Sequence, residues 1–97
     1  MMTYVVLYKF TDQGAKDMRG TVKRAAEVKA ENERRGFKVV GVYWTQGRFD
    51  LVAIVEAPDD VAVTALGLST GALGNVRTQT LRAFSKAEMA TIVGKMV

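Results

Sequence analysis

Residues 44–60, WTQGRFDLVAIVEAPDD, decide the fold of this 97-residue chain. Gln46-Gly47 joins two β-prone segments and has the length of a tight hairpin, and we expect Gly47 to adopt a positive φ. Pro58 suits the first position of a helix, and Asp59 and Asp60 suit its first turn because the helix dipole favours acids there. The stretch therefore predicts a strand end, a turn, a second strand and a helix start in direct succession.

The segments on either side complete an alternation of strands and helices. β-Branched and aromatic residues predict four strands, at Tyr4–Phe10, Phe37–Thr45, Arg48–Glu56 and Asn75–Phe84. Apolar residues at helical spacing predict three helices, from Ala15 or Met18 to Arg35, from Pro58 to Gly71 or Gly74, and after Ser85. The order β-α-β-β-α-β plus a C-terminal helix predicts an α+β, ferredoxin-like fold. We expect a single domain over residues 1–97, with a four-stranded antiparallel sheet and two helices on one of its faces.

Capping residues and apolar stripes support the three predicted helices. Gly36 follows two arginines and suits the left-handed cap that ends the first helix. Ser85 and Glu88 have the spacing of a capping box, which predicts the start of the last helix. The apolar stripes are predicted to be Met18, Val22, Ala25, Ala26 and Val28 on the first helix, Val61, Ala62, Ala65 and Leu66 on the second, and Met89, Ile92, Val93 and Met96 on the third.

The predicted sheet is apolar on both faces. With a two-residue hairpin, Val42 lies opposite Leu51 and Tyr43 opposite Asp50, and side chains alternate between the faces. One face then collects Val40, Val42, Trp44, Phe49, Leu51, Ala53 and Val55, and the other collects Phe37, Val39, Tyr43, Thr45, Arg48, Asp50, Val52 and Ile54. Two helices cover only one face, and large exposed apolar patches mark partner sites. We therefore predict a homodimer or a higher homo-oligomer that pairs its sheets; the alternative is a monomer whose last helix folds over the second face.

The residues that the chain lacks narrow its chemistry. It contains no Cys and no His, which excludes disulfides and removes both the usual general base and the commonest ligand of metals and haem. We accordingly predict no metal and no cofactor. The net charge of +4 comes from interleaved basic and acidic residues, which indicates solvated faces rather than a nucleic-acid patch. No apolar run reaches the roughly 20 residues of a membrane span, and no secretory signal is visible, so we expect a cytoplasmic protein without a membrane partner.

The turn Gly47-Arg48-Phe49-Asp50 resembles the turn for which the GYD-domain family is named, with Phe49 in the place of its usual Tyr. The resemblance extends through Tyr43–Gly47, Val55–Asp60 and Gly74–Phe84 and covers the chain from Tyr4 to about Phe84. It implies the dimeric α+β barrel superfamily, whose members include cofactor-free oxygenases, isomerases, haem enzymes and ligand-sensing domains. The family itself has no well-established reaction, and any role of the Tyr hydroxyl is absent here.

Asp50 is the leading candidate for a functional side chain, because a carboxylate inside an apolar strand normally has a partner or a task. Without a counter-charge it could act as a catalytic base. The structural alternative is that it accepts hydrogen bonds from the turn or pairs with Arg48 or Arg82. For Trp44, we favour the filling of core or interface volume over stacking on a substrate. The candidates for ligand binding are Tyr43, Trp44, Thr45, Arg48, Phe49, Asp50, Thr80 and Arg82.

Three classes of function fit these observations. We carry forward the binding of a small molecule by a homo-oligomer, in a cavity inside the barrel or between the helices and the sheet. The alternative is a cofactor-independent enzyme of the oxygenase or isomerase type, in which Asp50 acts on a small apolar or aromatic compound and Arg48 or Arg82 stabilises negative charge. An RNA-binding module shares this topology, but Asp50 repels phosphate and RNA would compete for the face that a second copy needs.

Overall fold

The computed structural model describes all 97 residues. Its elements are β1 (Met2–Phe10), α1 (Asp12–Lys16), a short 3₁₀ helix (Met18–Gly20), α2 (Thr21–Arg34), β2 (Lys38–Trp44), β3 (Leu51–Ala57), α3 (Asp60–Ala72), β4 (Val76–Ala83) and α4 (Lys86–Gly94). The strands form one antiparallel sheet in the order β2-β3-β1-β4. The predicted α+β architecture with a ferredoxin-like strand order is confirmed.

The segment predicted as one first helix is divided into pieces. Thr11 caps α1, because its Oγ1 accepts a hydrogen bond from the Gly14 N–H at 3.2 Å. Gly14 is buried against the loop before β4, where an added Cβ would collide with the Asn75 carbonyl oxygen. The chain then turns at Asp17, and α2 begins only after Gly20. As predicted, a glycine with positive φ follows α2, namely Gly36 at +95°.

The connection between β2 and β3 is longer than the predicted two-residue hairpin. The last strand pair is Trp44 with Leu51, so residues 45–50 form the loop. The Thr45 N–H donates to the Asp50 carbonyl oxygen at 2.9 Å, and the Thr45 hydroxyl donates to the Phe49 carbonyl oxygen at 2.6 Å. Gly47 has the predicted positive φ, +97°. The register differs from the predicted one by two residues, which leaves each side chain near the loop on its predicted face.

A β-bulge at Val40 reverses the predicted faces at the other end of β2. Val39 pairs with Val55 and Gly41 pairs with Ile54, so Val40 is the extra residue. Val39 is consequently buried in the core at 8% exposure, whereas Val40 is 55% exposed. The prediction placed Val40 with Val55 and Val39 on the opposite face. It was wrong here because strict alternation fails where one strand carries an additional residue.

The core lies between the sheet and the helices. Asp59 caps α3, because its Oδ1 accepts a hydrogen bond from the Ala62 N–H at 2.8 Å. The helix buries Leu66, which belongs to the predicted stripe, and Val63, whereas Val61 of that stripe is 78% exposed. The buried sheet residues are Tyr4, Val6, Val39, Leu51, Ala53, Val55 and Ala57. In α2 the only buried residue is Asn32, which is polar. The two helices therefore cover the sheet unequally, α3 with apolar side chains and α2 without a buried apolar side chain.

The opposite side of the sheet, called the open face below, has an apolar centre. Its members are Val5, Leu7, Val52 and Ile54, which are half-buried, and Val40, Tyr43 and Leu81, which are exposed. The last helix does not cover this face, because every residue of α4 is exposed. None of the helices combines the length and the apolarity that a membrane crossing requires.

Candidate functional site

Asp50 joins the β2–β3 connection to the end of β1. Its Oδ2 accepts a hydrogen bond from the Phe10 N–H at 2.8 Å, and its own N–H donates to the Tyr8 carbonyl oxygen at 2.8 Å. Arg48 is exposed and takes part in no ion pair. Asp50 thus extends the pairing of β1 with β3 beyond the last strand residue. Asp50 thus has a structural partner, but that partner is a β1 amide and not the turn, Arg48 or Arg82 of the structural alternative.

The two adjacent aromatic candidates, Tyr43 and Trp44, lie on opposite faces of β2. The Tyr43 ring lies on the open face over Gly41, where an added Cβ would approach the ring to 2.9 Å. The Trp44 indole N–H donates to Thr21 Oγ1 at 3.1 Å. Trp44 therefore links the end of β2 to the start of α2, on the helix-covered side of the sheet.

Thr80 and Arg82 lie on β4, away from Asp50. Thr80 pairs with Val6 and Arg82 with Tyr4, whereas Asp50 contacts Phe10. Tyr4, beside Arg82, and Phe10, beside Asp50, are six positions apart on β1, which amounts to about 20 Å along an extended strand. Within one chain, the two side chains therefore cannot form the pair that the sequence suggested.

Arg82 instead organises the start of α4. Its guanidinium lies 4.5 Å from the centre of the Phe84 ring and 5.7 Å from that of Tyr4, and it forms an ion pair with Glu88 at 3.1 Å. The hydrogen bond from the Ser85 N–H, followed by that from Arg82, holds the pKa of Glu88 below its usual range. Next to this cluster, the Tyr4 hydroxyl donates to Asp60 at 2.5 Å, and this bond raises the pKa of Tyr4.

A cavity of about 100 Å³ lies between α2 and the helix-covered face of the sheet. Most of its walls are apolar, and α3 and the loop before β4 close one side. Tyr8 contributes to the wall, and burial raises the pKa of its hydroxyl, so the phenol is neutral at physiological pH. The apolar side chains facing the cavity include Ala25, Val28, Val39, Val42, Leu51 and Val55. This space explains why α2 buries so little apolar surface.

The polar residues of this cavity were missed by the sequence analysis. They include Thr21, Arg24, Lys29, Asn32 and Asn75. One signal was present: Asn32 follows Ala25 by seven residues and Val28 by four, so it continues the apolar stripe of the helix. A polar residue at a core position of an amphipathic helix indicates a hydrogen-bonding task. None of the predicted ligand-binding residues lines this cavity, but Trp44 bonds to Thr21, and Asp50 bonds to Tyr8 and Phe10, which do line it.

Comparison with known proteins places the chain in a family. The GYD domain profile matches residues 4–93. The chain belongs to the GYD-domain family. A member from Thermus thermophilus, described as a glutamine synthetase and cystathionine β-lyase binding protein, is 38% identical over 90 residues, which cover 92% of this chain and 95% of that protein.

Membership gives the loop residues of this GYD domain a context. The Gly and the Asp of the family's name correspond to Gly47 and Asp50. In this chain the first provides the positive φ of the loop, and the second binds the Phe10 N–H. The backbone conformation of Gly47 and the hydrogen bond of Asp50 both fix the shape of the β2–β3 connection. The resemblance noted in the sequence thus coincides with residues that position the loop and not with residues that face the cavity.

Proposed function

We propose that this GYD domain is a homo-oligomeric binding protein, in which the open face of one copy packs on that of a second copy and the assembly binds another protein. The observation that carries the proposal is the two-sided apolar sheet, one side of which the chain leaves uncovered. Val52 and Ile54 occupy the central strand β3, and Val5 and Leu7 lie beside them on β1. Charged residues are placed towards the margin, including the Lys38–Glu56 ion pair. An apolar centre with a polar rim is the usual composition of a protein interface.

The partner protein is suggested by the relative from Thermus thermophilus. Because that protein is described as binding glutamine synthetase and cystathionine β-lyase and aligns over nearly its whole length, we propose that this chain binds one of the corresponding enzymes. Because the second copy uses the open face in this proposal, we assign the partner contact to another surface, that of α4. Met89 and Val93 on α4, and Met96 just after its end, are at least 48% exposed. The capping box of Ser85 and Glu88 fixes the start of the helix.

Self-association is tested by placing a charge on the open face. Val52→Glu should convert the oligomer to a monomer, because two carboxylates would be buried in the interface without counter-charges. Light scattering coupled to gel filtration measures the mass, which is 10.6 kDa for one chain. The matched control is Val61→Glu, the same substitution at an exposed position on α3. A wild-type mass of one chain at micromolar concentration would contradict the proposal.

Partner binding is tested with purified glutamine synthetase and cystathionine β-lyase from the same organism as the chain. Biolayer interferometry should show binding of at least one enzyme to the wild type and to Val61→Glu, and loss of binding with Val93→Glu, whose mass should remain oligomeric. If neither enzyme binds the wild type, the proposed partners are wrong. If Val93→Glu binds like the wild type, α4 is not the contact surface.

A second candidate, binding of a small molecule, is favoured by the cavity beneath α2. The cavity holds about 100 Å³, is open to solvent on one side and has mostly apolar walls with a few polar groups, which is the usual composition of a small-molecule site. Ala25→Leu on α2 should fill this space. The substitution should therefore stabilise the unliganded protein and abolish binding of any compound that raises the wild-type Tm. If such a compound stabilises both proteins equally, it binds elsewhere.

A further inference from the structure

Asn32 presents an unpaired amide to the cavity beneath α2. The residue is only 8% exposed. Its backbone carbonyl accepts hydrogen bonds from Arg35 and Phe37, but its side chain is hydrogen-bonded to no other group of the protein. The amide atoms are nevertheless not sealed off, and the residue lines the cavity. The amide is therefore free to donate and accept hydrogen bonds with a polar group of a molecule in the cavity.

The two charged residues that line the cavity are both basic. Arg24 and Lys29 line it, and no acidic side chain does. Arg24 is held by Asp17, with an N–O distance of 2.6 Å. Lys29 is half in solvent and contacts Glu33 at 3.5 Å, a loose surface pair that leaves its ammonium free to move. Lys29 and Asn32 are separated by three residues on the helix and so lie side by side.

The size of the cavity limits the apolar part of a ligand to about one ring. An apolar cavity of about 150 Å³ accommodates benzene, and this one, which is open to solvent on one side, holds about 100 Å³. Its walls offer Val39, Leu51 and Val55 to such a ring. The Tyr8 phenol has no partner in the protein and provides a second neutral donor, in addition to the Asn32 amide.

We propose that the cavity binds a small carboxylate with an apolar body of about one ring, whose carboxylate accepts a hydrogen bond from Asn32 Nδ2 and lies near the Lys29 ammonium. This inference rests on the small-molecule binding proposed above and adds the chemical class of the ligand. The cation and the neutral amide donors favour an anion, since charge-assisted hydrogen bonds are stronger than neutral ones.

The test compares three probes with the same ring: benzoate, benzyl alcohol and benzylamine. Trp44 is the only tryptophan of the chain and is bonded to Thr21 at the cavity wall, so its fluorescence reports binding. Calorimetry provides an independent measurement. At pH 7 benzoate should bind at least tenfold more tightly than benzyl alcohol, and benzylamine should bind most weakly.

Two variants locate the anion. Asn32→Leu, which replaces an unpaired amide with an apolar side chain of similar size, and Lys29→Met should each reduce the preference for benzoate over benzyl alcohol at least fivefold. Lys23→Met, a substitution on α2 outside the cavity lining, is the matched control and should preserve it.

The outcomes separate the two proposals. If benzyl alcohol binds and benzoate binds no more tightly, small-molecule binding stands and the inference about anions is overturned. If the preference for benzoate persists in both Asn32→Leu and Lys29→Met, the carboxylate lies elsewhere and the inference is again wrong. If none of the three probes binds, small-molecule binding in this cavity and the inference fail together.

Discussion

At the scale of single residues, two polar side chains interrupt apolar patterns in this chain, and they have different roles. Asp50 directly precedes the apolar strand β3, and its carboxylate binds the Phe10 N–H at the end of β1. Asn32 continues the apolar stripe of α2, and its amide opens to the cavity without a hydrogen-bond partner in the chain. The sequence drew attention to Asp50 because a charge among apolar residues is conspicuous. The structure directs attention to Asn32, because only the three-dimensional arrangement shows which polar group lacks a partner.

The role of Asp50 leads to a prediction about stability. Asp50→Ala should lower the free energy of unfolding by about 1–3 kcal/mol, because it leaves the partly buried Phe10 N–H without an acceptor. Asp50→Asn keeps an acceptor oxygen and should cost less than about 1 kcal/mol. Urea denaturation measures both values, with Arg48→Ala in the same loop as the control. Equal stability of Asp50→Ala and the wild type would show that this hydrogen bond is not structural.

At the scale of elements, the helices differ in how firmly they are held. α1 touches the loop before β4 so closely that Gly14 has no room for a Cβ. α3 is capped by Asp59 and buries two apolar side chains. α2 leaves a cavity beneath it, and α4 packs along neither face of the sheet. The proposed functions are assigned to α2 and α4, the two longer helices that bury no apolar side chain.

Two helical glycines provide a matched pair of substitutions. Gly14→Ala should destabilise the protein by about 2–3 kcal/mol, because the methyl group meets a backbone oxygen that cannot move freely. Gly71→Ala lies in α3 with no atom within 4 Å of the added Cβ and should stabilise by about 0.5 kcal/mol through reduced freedom of the unfolded chain. Thermal and urea denaturation measure both changes. A tolerated Gly14→Ala would mean that α1 can shift away from Asn75.

The cap of α4 predicts a dependence on pH. The pKa of Glu88 lies below its ordinary value of 4.5 because the carboxylate accepts hydrogen bonds from the Ser85 N–H and Arg82. Its stabilisation of the helix start is therefore complete above pH 4.5 and is lost as the pH falls through the lowered pKa of the folded state. NMR chemical shifts of α4 should show fraying in acid, and Glu88→Gln should show weaker capping at neutral pH with little further change in acid. A wild-type α4 that is unchanged down to pH 2 would contradict this role of the cap.

At the scale of the whole molecule, the open face is the feature that a single chain leaves incomplete. A chain of this length buries a limited core, and here the buried apolar residues lie on one side of the sheet. A second copy on the open face would convert Val5, Leu7, Val52 and Ile54 into core residues. The proposed assembly is thus also a proposal about where much of the stability originates.

This proposal predicts that stability depends on concentration. For an obligate dimer, unfolding is coupled to dissociation, so a tenfold dilution should lower the Tm by about 3–6 °C. Differential scanning fluorimetry from 1 to 100 micromolar, roughly the range of ordinary handling, measures this shift, and the monomeric Val52→Glu variant should lack it. A wild-type Tm that is independent of concentration would indicate that the subunit is stable alone.

The sequence by itself determined the order of strands and helices, the antiparallel sheet, the positive φ of Gly36 and Gly47, and the capping box at Ser85. These features depend on local backbone preferences and on spacing along the chain, which are present in the sequence. It also indicated the GYD family through residues 43–60, since that family's turn is contained in one continuous segment.

Only the tertiary structure decided the bulge at Val40, the division of the first helix and the contents of the cavity. The bulge moves Val39 into the core because β3 supplies its partner, and no pattern within β2 records that extra residue. The cavity is formed by residues from α2, all four strands and the end of α3. The Asn32 amide is free because none of these segments places a hydrogen-bond partner beside it. Contacts between distant segments depend on the packing of the whole chain, which local periodicity does not contain.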